Sequence, residues 1–361
     1  MNTKYWIGFS SIEQIDSTFI QRLYNYYGDI SAAFNCSKKD FDNIEGLNLK
    51  KAEAFLKLRD KTDVDKAFEE VEKRGIKVVT FDDKNYPYML SQIYNPPVVL
   101  YYKGDLFSCN LERTVAFVGS RKASSNGKDG VASIIGDFAG TDICIVSGLA
   151  EGIDSVAHRS AINNNLKTIG VIASGFDYKY PSSNKDLYEK LAGGYGAIVT
   201  EYYPTFEPVK FRFPQRNRIV TGLSYGTVVG EAAIKSGALI SANLTLEQGR
   251  ELMCVPGSIN NKNTEGVYKL LKNGATMVTR GEDILNALGW EVIKNKQDKK
   301  NESSVPPEYK AIIDIIDIEP KCFDELQSAV RLDTEELLKL LTMMEVEGLI
   351  EQTNGDRYKR V

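Results

Sequence analysis

The 361-residue chain is too long for one ordinary domain, and its 42% apolar and 26% charged composition is that of a globular protein. It has no run of about 18 apolar residues and no signal-peptide core in MNTKYWIGFSSIEQID, which excludes a spanning helix or membrane partner and points to the cytoplasm. A net charge of −4 argues against a bulk polyanion binder, but residues 111–290 carry 19 basic and 17 acidic groups while 306–361 carry 7 and 13, so a phosphate site must be a local cluster mid-chain.

Residues 1–75 read as a small helical domain. Ser11–Tyr27 repeats apolar residues (Ile12, Ile15, Phe19, Ile20, Leu23) on one helical face. Ile44-Glu45-Gly46-Leu47 followed by Lys50-Lys51-Ala52 resembles a helix-hairpin-helix turn, which either grips DNA backbone through a glycine amide or serves as a packing module. Val64–Gly75 is a further helix.

Residues 76–290 alternate strand and helix, which predicts an α/β, doubly wound, Rossmann-like parallel sheet. Ile76–Phe81 is a strand and Val98–Tyr102 an edge strand. Val115–Val118, Ile143–Val146, Thr168–Ile172, Ala197–Thr200, Gly226–Val229, Arg250–Val255 and Gly274–Val278 follow, each a short run rich in β-branched or small residues. Cys144 and Cys254 fall inside these strands as small hydrophobes. The five cysteines are scattered, with no Cys-x-x-Cys, so neither a disulfide framework nor a metal site is expected.

Residues 291–307 read as a polar linker closed by Pro306-Pro307, and 308–361 as a winged-helix-like domain. Three helices (Tyr309–Ile316, Cys322–Val330, Thr334–Glu347) precede strands Leu349–Gln352 and Arg357–Lys359 around an Asn354-Gly355-Asp356 turn. The third helix carries Glu335, Glu336, Glu345 and Glu347, and the domain is net −6, which favours a protein contact over duplex DNA.

Two corners follow the first strands of the α/β region, Gly119-Ser120-Arg121 and Ser147 to Gly152. Ligands of open α/β sheets bind at such carboxyl strand ends, where glycines admit close approach and helix N-termini offer amide donors to anions. Arg121, Arg216 and Arg218 are placed at the same edge, and guanidinium forks suit phosphate oxygens. A second assignment pairs Arg216 and Arg218 with Glu201 and Glu231 as staples of that edge. Asp154 is read as the cap of a helix entering at Ser155, and the single histidine, His158, as a packed residue. GSRKASSNG is neither a dinucleotide fingerprint nor a Walker loop, so no cofactor is expected. No nucleophile–base pair presents itself.

The motifs VGSRKASSNGK, IVSGLAEGIDSVAHRSAI, GFDYKYPSSN, EYYP, FPQRNRIVTGLS, EAAIKSGALISA and VPGSINNKNTEGVYKLLKNGA, in this order over about Arg113 to Ala287, resemble the DprA (Smf) family of DNA-processing proteins. The resemblance implies a non-enzymatic homodimer that binds single-stranded DNA at the sheet edge. It also implies loading of RecA recombinase onto the strand in natural transformation and recombination. Carried onto this chain, the contacts fall on Arg121 of the Gly119-Ser120-Arg121 corner, on the amides around Ser147, Gly148 and Gly152, and on Arg216, Asn217 and Arg218; from the residues themselves, Phe176, Tyr178, Tyr180 and Phe213 offer rings for base stacking, Phe213 equally as core. Two departures stand out. The family often has a basic residue after Tyr180-Pro181, where Ser182 and Ser183 stand here, with Lys179 or Lys185 as substitutes; it also often has arginine at Glu151. The rival reading is a nucleotide phosphoribohydrolase-like enzyme, for which Ser224-Tyr225-Gly226-Thr227 and Glu231 carry a faint resemblance.

Overall fold

The computed structural model describes residues 2–291, 307–316, 320–330, 332–346, 349–353 and 357–360. The chain divides into two compact units, Met1–Lys294 and Asn295–Val361. Among the described residues no helix is long and apolar enough to cross a membrane.

The first unit is built on a nine-stranded sheet: β1 (Lys77–Thr80), β2 (Val99–Gly104), β3 (Thr114–Val118), β4 (Cys144–Ser147), β5 (Thr168–Val171), β6 (Gly196–Thr200), β7 (Gly226–Val229), β8 (Glu251–Cys254) and β9 (Thr276–Met277). Their spatial order is β1-β2-β6-β5-β4-β3-β7-β8-β9. β3 lies between β4 and β7, parallel to both, with Ala116 opposite Val146 and Thr227. Strands β4 to β6 extend one way from β3 and β7 to β9 the other, so the chain reverses direction across the sheet at β3/β7, the doubly wound arrangement. β1 and β2 add to β6 in antiparallel register. The edge strand is therefore β1, not the Val98–Tyr102 segment expected from sequence. Continuous apolar runs identify buried strands but not their order.

Helices Ser125–Gly136 and Ile153–Asn163 cover one face, and their core includes Phe117, Ile134, Phe138, Ile145 and Ile153. Helices Arg212–Gly222 and Ala238–Glu247 cover the other with Ile219, Val220, Leu223 and Ala242. Residues 2–74 form short helices whose aromatic core, including Trp6, Phe9, Phe34 and Phe55, continues into Val99, Tyr101 and Tyr203 of the sheet region. Its second helix is Ser17–Tyr27 and not Ser11–Tyr27. Asp16 accepts from the Phe19 amide at 3.0 Å and caps it, overriding the apolar periodicity further upstream. At the hairpin turn Gly46 has φ +67° and packs against the Arg22 guanidinium, while Lys51 is paired with Asp16 and Asn48 caps the following helix.

The second unit holds helices Pro307–Ile316, Phe323–Val330 and Thr334–Val346 and strands β10 (Lys321–Cys322), β11 (Ile350–Thr353) and β12 (Arg357–Arg360), ordered β10-β12-β11. Ile312, Leu326, Leu337, Leu341 and Met344 form its core, the outline of a winged helix. The expected Asn354-Gly355-Asp356 turn and most of the expected linker lie outside the described residues.

His158 is fully buried on helix Ile153–Asn163, and its Nδ1 meets the Thr168 hydroxyl at 2.7 Å. Burial first, then the Arg216 and Arg159 charges, lower its pKa to about 3. A depressed histidine stabilises the fold only above its unfolded pKa. Stability is therefore expected to fall between pH 7 and pH 5, by about 2 kcal/mol from this group. Urea denaturation should show that loss in the wild type and show it removed in His158→Gln.

Candidate nucleic-acid interface

Both corners are turns at carboxyl strand ends, and a buried carboxylate takes up hydrogen-bond donors at or beside each of them. At the first, the Glu231 carboxylate, 2% exposed, accepts from the Ser124 amide at 2.9 Å, from the Ser124 hydroxyl and from Asn261 Nδ2 at 2.8 Å. Ser124 in turn caps helix Ser125–Gly136. At the second, Asp154 Oδ2 accepts from the Gly148 amide at 3.1 Å and from Ala150 at 3.4 Å. Asp154 is thus not the expected helix cap; it sits in the first turn of Ile153–Asn163 and points back into the corner. Burial pushes its carboxyl above the usual range, with Arg216 and the two amides pulling the other way. Gly152 has φ +80° and packs on the Ser120 and Arg121 carbonyls, so the two corners touch and only glycine fits there. Ser147 is fully buried, and its hydroxyl donates to the Phe117 carbonyl at 2.6 Å.

Above the corners lies a cleft of about 680 Å³ between the strand ends, the start of helix Arg212–Gly222 and the Ser236–Ser241 segment. Gly119, Arg121, Gly148, Phe213, Arg216 and Asn217 line it. A smaller recess of about 60 Å³ continues under Tyr180 and Phe213 to Ile172 and Ala173. Arg121 is exposed and makes no ion pair among the described residues; its guanidinium lies 5.4 Å from the Phe213 ring centre. Phe213 is half-buried and meets the exposed Tyr180 edge-on at 5.6 Å. This row of cation and two rings is the open part of the cleft.

The other two arginines are internal. Arg216 is 4% exposed, its Nη1 donating to the Gly148 carbonyl at 2.6 Å and to the Val171 carbonyl. It forms the cleft floor, and burial lowers its pKa against the attraction of Asp154. Gly148 is glycine because an added Cβ would lie 2.6 Å from Arg216 Nη1. Arg218 pairs with Glu201 at 2.6 Å, side chains 15% and 12% exposed, which is the staple considered from sequence. Arg216 has no such pairing with Glu231. Lys179 pairs with Glu189 at 3.5 Å, and neither Lys179 nor Lys185 lines the cleft.

Sequence reading missed two exposed lysines without ion pairs among the described residues. Lys210 lines the cleft, and Lys235 precedes the lining Ser236. Their signal was a lone lysine within EPVKFRFP and within EAAIKSG, each flanking a segment already singled out. Among the described residues no group of three or more His, Cys, Asp or Glu side chains could hold a metal ion.

A family profile described as DNA recombination-mediator protein A matches residues 77–289. The chain belongs to this family, that of DprA. A second profile, the DprA winged helix domain, matches residues 296–356. The DNA processing protein DprA of Streptococcus pneumoniae is 43% identical over 203 residues, covering 56% of this chain and 71% of that protein. Protein Smf of Synechocystis is 29% identical over 391 residues, covering 99% and 98%. Two solved structures are similar. That of DNA processing protein A from S. pneumoniae has a TM-score of 0.69 at 35% identity, over 80% of this chain and 97% of its own. That of DNA processing protein A from Helicobacter pylori, described for its single-stranded DNA binding mode, has 0.53 at 28%, over 59% and 95%.

In this DprA-family chain the two departures from the family pattern touch one another. The Ser183 hydroxyl donates to the Glu151 carboxylate at 2.8 Å, beside the recess. Positive charge at the cleft therefore comes from the Arg121 and Lys210 sides.

Removing one partner of the Arg218–Glu201 pair leaves a largely buried charge unpaired. Arg218→Ala is expected to cost roughly 3 kcal/mol in urea denaturation, and Arg218→Met with Glu201→Met to recover most of it. A double variant no more stable than the single one would contradict the staple assignment.

Proposed function

We propose that this protein binds single-stranded DNA along the cleft, through the backbone, with little sequence preference. The observation that carries the proposal is the unpaired Arg121 laid against the Phe213 ring and next to Tyr180, with the unpaired Lys210 lining the same cleft. A guanidinium and an ammonium supply phosphate contacts, and two accessible rings supply stacking surface for bases, the usual combination for strands held without base readout. Gly119, Ser120, Gly148 and Gly152 act by letting the corners close up beneath the strand. Arg216 and Asn217 shape the floor, and Arg218 holds the helix in place. Lys179 and Lys185, outside the lining, are left for the path of the strand beyond the cleft.

By the family resemblance, the proposal extends to a homodimer that protects incoming or exposed single strands and hands them to RecA recombinase in transformation and recombination. We assign 1–75, 76–290 and 308–361 as helical, strand-binding and winged-helix domains, with 291–307 as the linker. Exposed Glu335, Glu336 and Glu345 on helix Thr334–Val346 suit the last to a protein contact. The setting is cytoplasmic and the role non-enzymatic. Glu231, the carboxylate the rival enzyme reading needs, is buried with three hydrogen-bond donors upon it and is unsuited to attack or proton transfer at a bound nucleotide.

Fluorescence anisotropy of labelled poly-dT across a salt series tests this. Arg121→Ala with Lys210→Ala is expected to lower affinity at least about tenfold and to reduce the log–log salt slope by about 1.4, or 0.7 per lost phosphate contact. Unchanged affinity and slope in a folded double variant would reject the cleft.

A further inference from the structure

Two loops form the outer wall of the cleft, residues 175–181 and 202–211. They contribute Tyr180 and Pro181, and Pro208 and Lys210, respectively. The loops hold each other through Gly175 N–H to the Phe206 carbonyl at 2.8 Å and Asp177 N–H to Pro204 at 3.0 Å. Neither loop is a strand or helix, and side-chain contacts add to these backbone bonds in holding them in place.

Those side chains reach the helical layer, residues 2–74. Arg74 donates to both Asp177 oxygens, Nε at 3.0 Å and Nη2 at 3.1 Å, a bidentate fork. Arg212, 2% exposed, lies between the Tyr202 and Phe206 rings, each centre 4.9 Å away. It donates to the Glu207 carbonyl in the loop and to the Glu13 carboxylate in the helical layer. Phe213 follows it directly in the chain. One buried guanidinium thus joins the loop, the helix carrying Phe213 and the helical layer. Tyr203 adds a hydroxyl contact to Glu70 at 3.0 Å.

We propose that Arg74 and Arg212 are positioning residues for strand binding, which set the spacing of Lys210 and Tyr180 from Arg121 by clamping both wall loops onto the helical layer. The proposal rests on the cleft being the strand site. It gives the helical layer a part in DNA binding without touching DNA, and it makes any partner that displaces this layer a regulator of strand affinity.

The full-length protein, labelled poly-dT, and the variants Arg74→Ala and Arg212→Lys test it. Lysine keeps the charge facing Glu13 but cannot fill the slot between two rings or donate in two directions as a planar fork. Each variant is expected to weaken binding by about three- to tenfold through lost pre-organisation of the wall. Arg212→Lys in a Lys210→Ala background, and Arg74→Ala in a Tyr180→Ala background, should each cost less than about twofold, because a side chain that is absent cannot be mispositioned. A purely structural role would lower the melting temperature and leave this coupling at zero. If Arg212→Lys fails to fold, Arg74→Ala decides, since Arg74 and Asp177 are each about one-third exposed (side chains 31% and 37%). Wild-type affinity in the folded variants, or equal losses with and without the positioned side chain (Lys210 for Arg212→Lys, Tyr180 for Arg74→Ala), overturns the proposal. Arg121→Ala separates the two claims: if it binds as wild type, the cleft reading fails and this proposal with it. If it binds weakly while the clamp variants bind normally, only the clamp is lost.

Discussion

Two buried carboxylates decide how this sheet can meet a polyanion. In open α/β sheets the corners after the first strands hold phosphates because their amide donors have no other partner. Here the Glu231 carboxylate takes up the amide and hydroxyl of Ser124 beside the β3/β7 corner, and Asp154 the Gly148 and Ala150 amides at the β4 corner. Each carboxylate ties down its turn and places an acidic group beside it. The proposed phosphate contacts lie instead on side chains, Arg121 and Lys210, which line one cleft with Phe213 and Tyr180. Such a row along a surface suits an extended strand better than a mononucleotide, which needs one deep cradle.

The same constraint explains why the three arginines of the edge differ so much in burial. Arg121 follows β3 on an exposed turn and rests on an aromatic face, with no ion pair among the described residues. Arg216 and Arg218 sit on helix Arg212–Gly222, on faces turned toward the sheet, where carbonyls at strand ends and Glu201 receive them. Removing any one of them therefore means different things: loss of a proposed strand contact for Arg121, loss of the floor for Arg216, and loss of a staple for Arg218. The helical layer joins the same network from outside, through Arg212 and Arg74, so that the cleft is braced on both flanks.

Strand positions in the doubly wound region were legible because short β-branched runs ending in glycine have few alternatives. The same repeat predicts a doubly wound sheet but not where its strand order reverses, which comes from the pairing of β3 with β7. The N-terminal helix start was misjudged because one aspartate side chain outweighed periodicity. The site was half legible. GSR and FPQRNR marked the elements that meet, but type alone does not show which arginine points to solvent; burial comes from partners distant in the chain, such as Val171 for Arg216. Asp154 misled for the same reason, since an acidic residue near a helix start caps by default and here turns toward Gly148 instead. Lys210 lay hidden because a single lysine in a loop carries no pattern of its own.

The most direct test of where the strand lies is photo-cross-linking of bromodeoxyuridine-substituted poly-dT to the full-length protein, followed by peptide mapping. The account predicts adducts on peptides carrying Tyr180 and Phe213. Adducts confined to the Gly46 turn or to residues 307–360, with none at the cleft, would contradict it.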